Sequence, residues 1–290
     1  MKWKNNLLRD LKTTFLAELE PLYGNNESKQ LLNILIKHFF NLSRSQQALN
    51  QDFRLSESEI LNLHWAVKDL KKYKPVQYIV GETEFMGLIF QVDGSVLIPR
   101  PETEELIELI QKKEKNKDIK ILDIGTGSGC IAISIAKILT KTSLTAIDVS
   151  VDALEIAKKN AKANDVEINF LLHDILNHKL NFSEKFDVIV SNPPYVRLSE
   201  KEKMNENVLN FEPHLALFVA DDNPLVFYEA IIKFASTNLR AKGRIYLEIN
   251  EGLGQMTKEL LKSNGYDNII VENDLNNKAR LVSGIKTDIQ

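Results

Sequence analysis

Ile121-Leu122-Asp123-Ile124-Gly125-Thr126-Gly127-Ser128-Gly129 runs from an apolar strand into three closely spaced glycines, and a helical stretch, Ile131–Leu139, follows. Glycines at such a corner let the backbone turn tightly and approach a ligand with no Cβ in the way. The spacing helps to choose the ligand. A dinucleotide fingerprint places glycine or alanine after two spacer residues, whereas here Cys130 stands at that position and an acid, Asp123, precedes the glycines. S-adenosylmethionine has no diphosphate to seat on a helix N-terminus. Asp123 can meet the ammonium group of such a ligand or hold the loop in shape.

On either side of this stretch, strands and helices alternate. Strand-like runs occupy Ser143–Ile147, Ile168–Leu172, Phe186–Val190, Arg244–Ile249, Asn268–Val271 and Arg280–Val282. Helical stretches at Val151–Asn164, Leu225–Leu239 and Gly254–Ser263 separate most of them, and Pro101 suits the first position of a helix over Glu102–Ile110. This alternation predicts an α/β fold with a parallel doubly wound sheet. The last two strands are joined by a short Asn-rich loop, so the final strand is expected to return antiparallel. Asp148 closes the second strand, where a carboxylate can accept from both ribose hydroxyls of a dinucleotide or an S-adenosyl ligand; Ser150 is the better cap for the next helix. Asp174 closes the third strand and either contacts an adenine amino group, with Ile175 beside the ring, or serves as a turn residue.

Ser191-Asn192-Pro193-Pro194-Tyr195 follows the strand Phe186–Val190 directly. Two prolines can neither continue a strand nor open a helix comfortably. They stiffen the backbone and leave the Pro193 carbonyl without a competing ladder bond. An amide or aromatic amino nitrogen is a poor nucleophile because its lone pair is delocalised. If the Asn192 side-chain oxygen and the Pro193 carbonyl each accept one N–H, the group is fixed and its nitrogen gains electron density. A sulfonium methyl can then lie in line with it. Tyr195 offers a flat surface to the planar group. No side-chain base is needed, because an N-methylated amide is a strongly acidic cation until it loses a proton.

Residues 1–74 read as helical. Leu31, Leu32, Leu35, Ile36 and Phe39 recur at helical spacing, as do Ile60, Leu61, His64 and Val67, and Ser56 with Glu59 forms a capping-box pattern. Residues 75–98 change texture: Thr83–Phe85 and Leu88–Val92 look extended, with Gly81, Gly87 and Asp93-Gly94 as turns, which predicts a hairpin linker before a catalytic domain over 99–290. The composition, 43% hydrophobic with 27% charged residues, is that of a soluble domain, and the net charge of −3 argues against a nucleic-acid coat. Basic residues exceed acidic ones mildly over 1–75, a hint of an acidic partner. A lone cysteine, Cys130, points to a reducing compartment and reads as a small packed residue. The start, Met1 to Lys4, lacks the apolar run of a secretory signal, and nothing is apolar enough to span a membrane, so a cytoplasmic protein is expected. His38, His64, His173, His178 and His214 do not cluster with cysteines at metal spacing, and no metal is expected.

Several runs together resemble the PrmC (HemK) family of peptide chain release factor glutamine methyltransferases. They are Ile98-Pro99-Arg100-Pro101-Glu102-Thr103-Glu104, the Asp123–Gly129 loop, Asn192-Pro193-Pro194-Tyr195, Pro75-Val76-Gln77-Tyr78-Ile79 with Gly81, Phe211-Glu212-Pro213, and Asn276-Asn277-Lys278-Ala279-Arg280. The glycine loop is common to most S-adenosylmethionine enzymes and Asn-Pro-Pro-Tyr to several amino-group methyltransferases; the Ile98–Glu104 run is the discriminating one. The resemblance implies a seven-stranded Rossmann-like S-adenosylmethionine-dependent methyltransferase domain with a small N-terminal helical domain that docks the substrate. It implies methyl transfer from S-adenosylmethionine to the glutamine of the Gly-Gly-Gln loop of class I peptide chain release factors, by a monomer that binds neither nucleic acid nor membrane. Gly125, Thr126, Gly127, Ser128, Gly129, Asp148, Asp174, Ile175 and Asn192 would then contact the cofactor, while Asn192, Pro193, Pro194 and Tyr195 hold the glutamine. The corner His173–Leu176 departs from the family, where a glycine and an aromatic are commoner. A DNA adenine-N6 methyltransferase or a ribosomal-protein glutamine methyltransferase would use the same acceptor site. The DNA enzyme needs a basic target-recognition region, and the segment after Asn238 is taken up by the last strands.

Overall fold

Helix initiation in the first part of the chain is written in its caps. The computed structural model describes residues 6–288 apart from 51, 116, 178, 179 and 181; the Met1–Lys4 start and His178, both read above, lie outside them. Helix α1 (Leu8–Phe40) bends at Gly24, whose φ of 70° and ψ of 169° are not helical. It buries Leu11, Phe15 and Leu19 before the bend and Leu32, Leu35 and Ile36 after it. Both α2 (Arg44–Leu49) and α3 (Glu57–Leu70) open with a complete capping box, Ser43 with Gln46 and Ser56 with Glu59. In the second, Ser56 N donates to Glu59 Oε2 at 2.7 Å, which satisfies a backbone donor the helix itself cannot. The inward face of α3 is Ile60, Leu63, Ala66, Val67 and Leu70. Leu61, expected inside, is 51% exposed. Residues 76–80, placed above in the hairpin linker, form α4 (Val76–Val80): Pro75 caps it, its carbonyl accepting from Tyr78 N and Ile79 N.

The chain divides into two compact units, Met1–Gly81 with Asn205–Phe211, and Glu82–Met204 with Glu212–Gln290. The second unit begins with the hairpin β1 (Glu82–Phe85) and β2 (Leu88–Gln91), in which Phe85 faces Leu88 across Met86-Gly87, both at positive φ. It continues through α5 (Pro101–Glu114), β3 (Ile119–Ile124), α6 (Cys130–Ile138), β4 (Thr142–Asp148), α7 (Val151–Ala163), β5 (Asn169–Leu172), β6 (Phe186–Ser191) and β7 (Val196–Arg197). After α8 (Glu206–Phe211), which belongs to the first unit, come β8 (Phe218–Val219), α9 (Val226–Asn238), β9 (Leu239–Glu248), α10 (Gly254–Ser263), β10 (Tyr266–Asn273) and β11 (Ala279–Lys286).

The seven-stranded sheet has the order β10-β11-β9-β6-β3-β4-β5 and is parallel except for β11, which pairs antiparallel with both neighbours. This is the architecture expected from the alternation, with the last strand returning as anticipated. Neighbouring positions on β3 enter different cores. Ile121 packs with Leu106, Ile110 and Ile131 from α5 and α6, whereas Leu122 packs with Ile231, Phe234 and Leu261 from α9 and α10. A strand buried on both faces reads as a continuous apolar run, as β3 does. The strand order reverses between β3 and β6, which makes their C-terminal ends the place where an open parallel sheet leaves a crevice. Ile124 and Ser191 are register partners there, and Ser191 Oγ donates to the Ile124 carbonyl at 2.7 Å. No helix among the described residues is long and apolar enough to cross a membrane.

Gly129 shows why the helix after the loop must start with glycine. Its φ is +82°, and a Cβ there would lie 2.9 Å from Ile133 Cδ1 and 3.2 Å from Ala157 Cβ. Gly129→Ala therefore combines backbone strain with overpacking, and urea unfolding should show a loss of about 1–3 kcal/mol. An unchanged midpoint would contradict the close packing of α6 on α7.

Candidate active site

A cavity of about 380 Å³ opens at the C-terminal ends of β3, β4, β5 and β6. Its wall carries Gly125 to Ser128, Asp148, Asp174 with Ile175, and Asn192 to Pro194. The structure thus brings together most of the residues singled out in the sequence. Gly129 and Tyr195 are not part of that wall. Gly129 is a packing residue, for the reason just given, and Tyr195 packs beside the β6–α9 core.

Asp148 does two things at once. One carboxylate oxygen accepts from Gly127 N at 2.8 Å and the other from Ser150 N at 2.9 Å, while Ser150 caps α7 by accepting from Ala153 N. Gly127, at φ +54°, presents its N–H to this carboxylate, and no atom lies within 4 Å of where a Cβ would stand. Burial pushes the Asp148 pKa up, and the N–H groups of Ser150 and Gly127 oppose it. A carboxylate has about four acceptor sites, so two oxygens already bound to backbone retain capacity for ribose hydroxyls. The glycine loop, the carboxylate at the next strand end and the apolar Ile175 fit a nucleoside-bearing ligand. Asp174 Oδ1 accepts from Leu176 N at 2.9 Å, so it acts at least as a turn residue.

Asp123 resolves its two alternatives toward loop shape. It is fully buried, lies outside the cavity wall, and accepts from Thr126 Oγ1 at 2.7 Å. Burial pushes its pKa up to about 7, with the nearby Asp148 charge adding to the effect. Burial likewise holds the Cys130 thiol up at about 12, which keeps it protonated rather than nucleophilic.

At the other end of the cavity, Asn192 Nδ2 donates to Thr103 Oγ1 at 3.2 Å, and Thr103 Oγ1 donates to Glu248 Oε2 at 2.7 Å. Tyr195 OH donates to Glu248 Oε1 at 3.0 Å. No described residue donates to Asn192 Oδ1 or to the Pro193 carbonyl. Glu248 is buried, which raises its pKa, while Thr103, Tyr195 and the Arg280 charge act in the opposite direction. Neither Thr103 nor Glu248 was assigned a role from the sequence. A carboxylate closing the apolar run Ile245–Leu247 is the signal that could have found Glu248. Asn160 was missed too: its Nδ2 donates to the carbonyls of Ser128 and Gln91, clamping the glycine loop to β2. Among the described residues, no group of three or more His, Cys, Asp or Glu could hold a metal ion.

Residues 101–211 match the family described as Methyltransferase small domain, and residues 15–81 match the PrmC N-terminal domain. The chain is 44% identical to a release factor glutamine methyltransferase of Flavobacterium psychrophilum, a match covering 95% of this chain and 98% of that protein. It is 40% identical to one of Bacteroides thetaiotaomicron, covering 91% and 95%. A methyltransferase structure from Pyrococcus furiosus shares the fold, with a TM-score of 0.51 at 18% identity over 70% of this chain and 90% of that one.

The Asp123 geometry gives a pH signature. Its folded pKa lies above its unfolded one, so the folded state binds more protons between about pH 4 and pH 7, and stability from this group falls as pH rises through that window. Relative to Asp123→Asn, the ligand-free wild-type protein should gain melting temperature when pH is lowered from about 8 to about 5. A gap between the two proteins that does not change with pH would refute the burial of an ionisable carboxyl here.

Proposed function

The chain belongs to the family of release factor glutamine methyltransferases, and from that premise we propose that it methylates the side-chain amide nitrogen of a glutamine in peptide chain release factors. The observation that carries this reading is the acceptor pair, Asn192 Oδ1 and the Pro193 carbonyl, on the wall of the cavity that also holds the glycine loop and Asp148. The target is the glutamine of the Gly-Gly-Gln loop of class I factors, the chain acts as a cytoplasmic monomer, and neither nucleic acid nor membrane takes part. Residues 1–74 dock the factor, 75–98 link, and 99–290 carry the chemistry. The match of residues 15–81 to the PrmC N-terminal domain supports the docking role. A DNA adenine or ribosomal-protein target would use the same acceptors, and nothing in these relatives favours either.

S-adenosylmethionine, the methyl donor, supplies a methyl group on a cationic sulfur. The Gly125–Ser128 backbone and Asp148 would hold it at one end, Asp148 with acceptor capacity left for ribose hydroxyls; Asp174 and Ile175 would lie beside the adenine. Asn192 Oδ1 and the Pro193 carbonyl each accept one hydrogen of the glutamine NH2, which fixes the plane of the amide and raises electron density on nitrogen. Pro194 keeps the carbonyl direction rigid. Bound there, the donor would supply the methyl to the amide nitrogen, with the electron pair of the broken S–C bond left on sulfur. The nitrogen then loses one proton to water. Orienting the nucleophile rather than basic catalysis is the work of this chain. Tyr195 contributes through the bond to Glu248 instead of as a wall of the cavity.

Purified protein incubated with release factors and S-adenosylmethionine should add one methyl, about 14 Da, to the peptide bearing the Gly-Gly-Gln glutamine, located by mass spectrometry. Methylation elsewhere, or none, refutes the assignment. Asn192→Ala should all but abolish the transfer, leaving a residual rate that only long incubations read, while retaining most cofactor affinity; near-normal turnover in that variant would disprove the acceptor role. Asp148→Ala should weaken S-adenosylmethionine binding by about 1–3 kcal/mol, the scale of a lost hydrogen bond to a charged group. Equal calorimetric affinity would remove Asp148 from the site.

A further inference from the structure

A primary amide is nearly symmetric in shape, so Asn192 can turn over about its last torsion with little steric consequence. The two orientations are opposites chemically. One presents Oδ1 to the substrate NH2 as an acceptor, and the other presents a second NH2, a donor facing a donor. Something must choose between them.

We propose that Thr103 and Glu248 are positioning residues that set the polarity of the Asn192 amide, so that its oxygen is turned to the glutamine. The inference rests on the reading of the acceptor pair given above. Its logic is a donor count. Thr103, Tyr195 and the Arg280 charge favour the ionised form of Glu248 against its burial, and an ionised carboxylate only accepts. Thr103 has a single hydroxyl hydrogen, and it is committed to Glu248 Oε2 at 2.7 Å. The oxygen of Thr103 can then only accept from its other neighbour, so Asn192 must face it with Nδ2, as it does at 3.2 Å. Oδ1 is left on the opposite side of the amide.

The same carboxylate sets the far end of the segment. Glu248 Oε1 takes the Tyr195 hydroxyl at 3.0 Å, so one buried anion fixes residues 192 and 195 from both of its oxygens. Arg280 acts on it with positive charge. Its place is a consequence of register: β6 runs beside β9 with Ser191 opposite Leu247, so the residues one step further, Asn192 and Glu248, emerge together at the C-terminal ends of these two strands. Thr103 arrives from the first turn of α5, begun by Pro101, and Thr103 N donates to the Arg100 carbonyl. Both side chains are buried, Thr103 at 2% and Glu248 at 1% exposure, so water is a poor substitute for either partner.

Thr103→Val keeps the shape and removes the hydroxyl, and Glu248→Gln keeps the shape and adds a donor that allows the relay to reverse. Each should lower kcat on the release factor about ten- to a hundredfold, the scale of a misaligned reacting group. The calorimetric affinity for S-adenosylmethionine and the cooperative melt should be retained. Thr103→Ser, which restores the hydroxyl, should recover most of the rate. Since Thr103 acts only through Asn192, the double variant Thr103→Val/Asn192→Ala should be no slower than Asn192→Ala alone over long incubations. A Thr103→Val enzyme within twofold of wild-type kcat, a serine variant that fails to recover, or multiplicative losses in the double variant would each overturn the proposal, and wild-type methylation in the same assay would leave the acceptor-pair reading standing.

Discussion

A planar NH2 group has two hydrogens in one plane, and holding both requires two acceptors that are fixed in place and not already engaged. That constraint explains the end of β6. The sheet must stop there, because a ladder partner would occupy the carbonyl that the substrate needs. Two prolines stop it without adding a donor of their own. Yet a segment released from the sheet is also released from the restraint that the sheet provides. The structure replaces that restraint with side chains. Ser191 ties the base of the segment to the end of β3. Thr103 takes the Asn192 nitrogen, Glu248 takes Tyr195, and Asn250 Nδ2 reaches the Tyr195 carbonyl at 3.4 Å.

The run Ile98–Glu104 is the brace on which this depends. Arg100 Nη2 donates to both oxygens of Glu212, at 2.6 and 2.8 Å. Thr103 meets Glu248 and Asn192, and Glu104 Oε1 accepts from Met86 N in the hairpin turn at 2.6 Å. Three side chains in five residues therefore hold four distant segments of one unit. The Asn276–Arg280 run belongs to the same arrangement. Asp274 gathers the N–H groups of Asn276 and Lys278 and the guanidinium of Arg280, which places a positive charge near Glu248. Motifs that look separate along the chain converge on the acceptor segment.

Much of the fold was legible because it is local. The apolar run of β3, the glycine loop and the capping boxes each announce themselves within about a dozen residues. The acceptor segment was legible for the same reason, since consecutive prolines after a strand have few other uses. What the sequence hid were partners far apart in the chain: Thr103 and Glu248 lie 145 residues apart, and Asn192 and Thr103 lie 89 apart. Hydrogen bonds between side chains leave no periodicity behind. The misreadings have local causes of another kind. Pro75 marks a break in helix, but a proline is also a good start for one, and α4 begins there. Leu61 shares helical spacing with Ile60, and only packing separates the buried face from the exposed one.

The two ends of the cavity use burial in opposite ways. Around the glycine loop, Asp123 and Asp148 are acids in a region with little water, both pushed up in pKa by burial, and the loop's own N–H and hydroxyl groups carry the compensation. At the acceptor end a single buried anion is surrounded by donors, and its charge is spent on alignment rather than attraction. At the loop end the buried acids are answered by the loop's own donors and shape the seat of the methyl donor; at the acceptor end the buried acid is answered by donors far along the chain and aligns the segment that orients a neutral nucleophile.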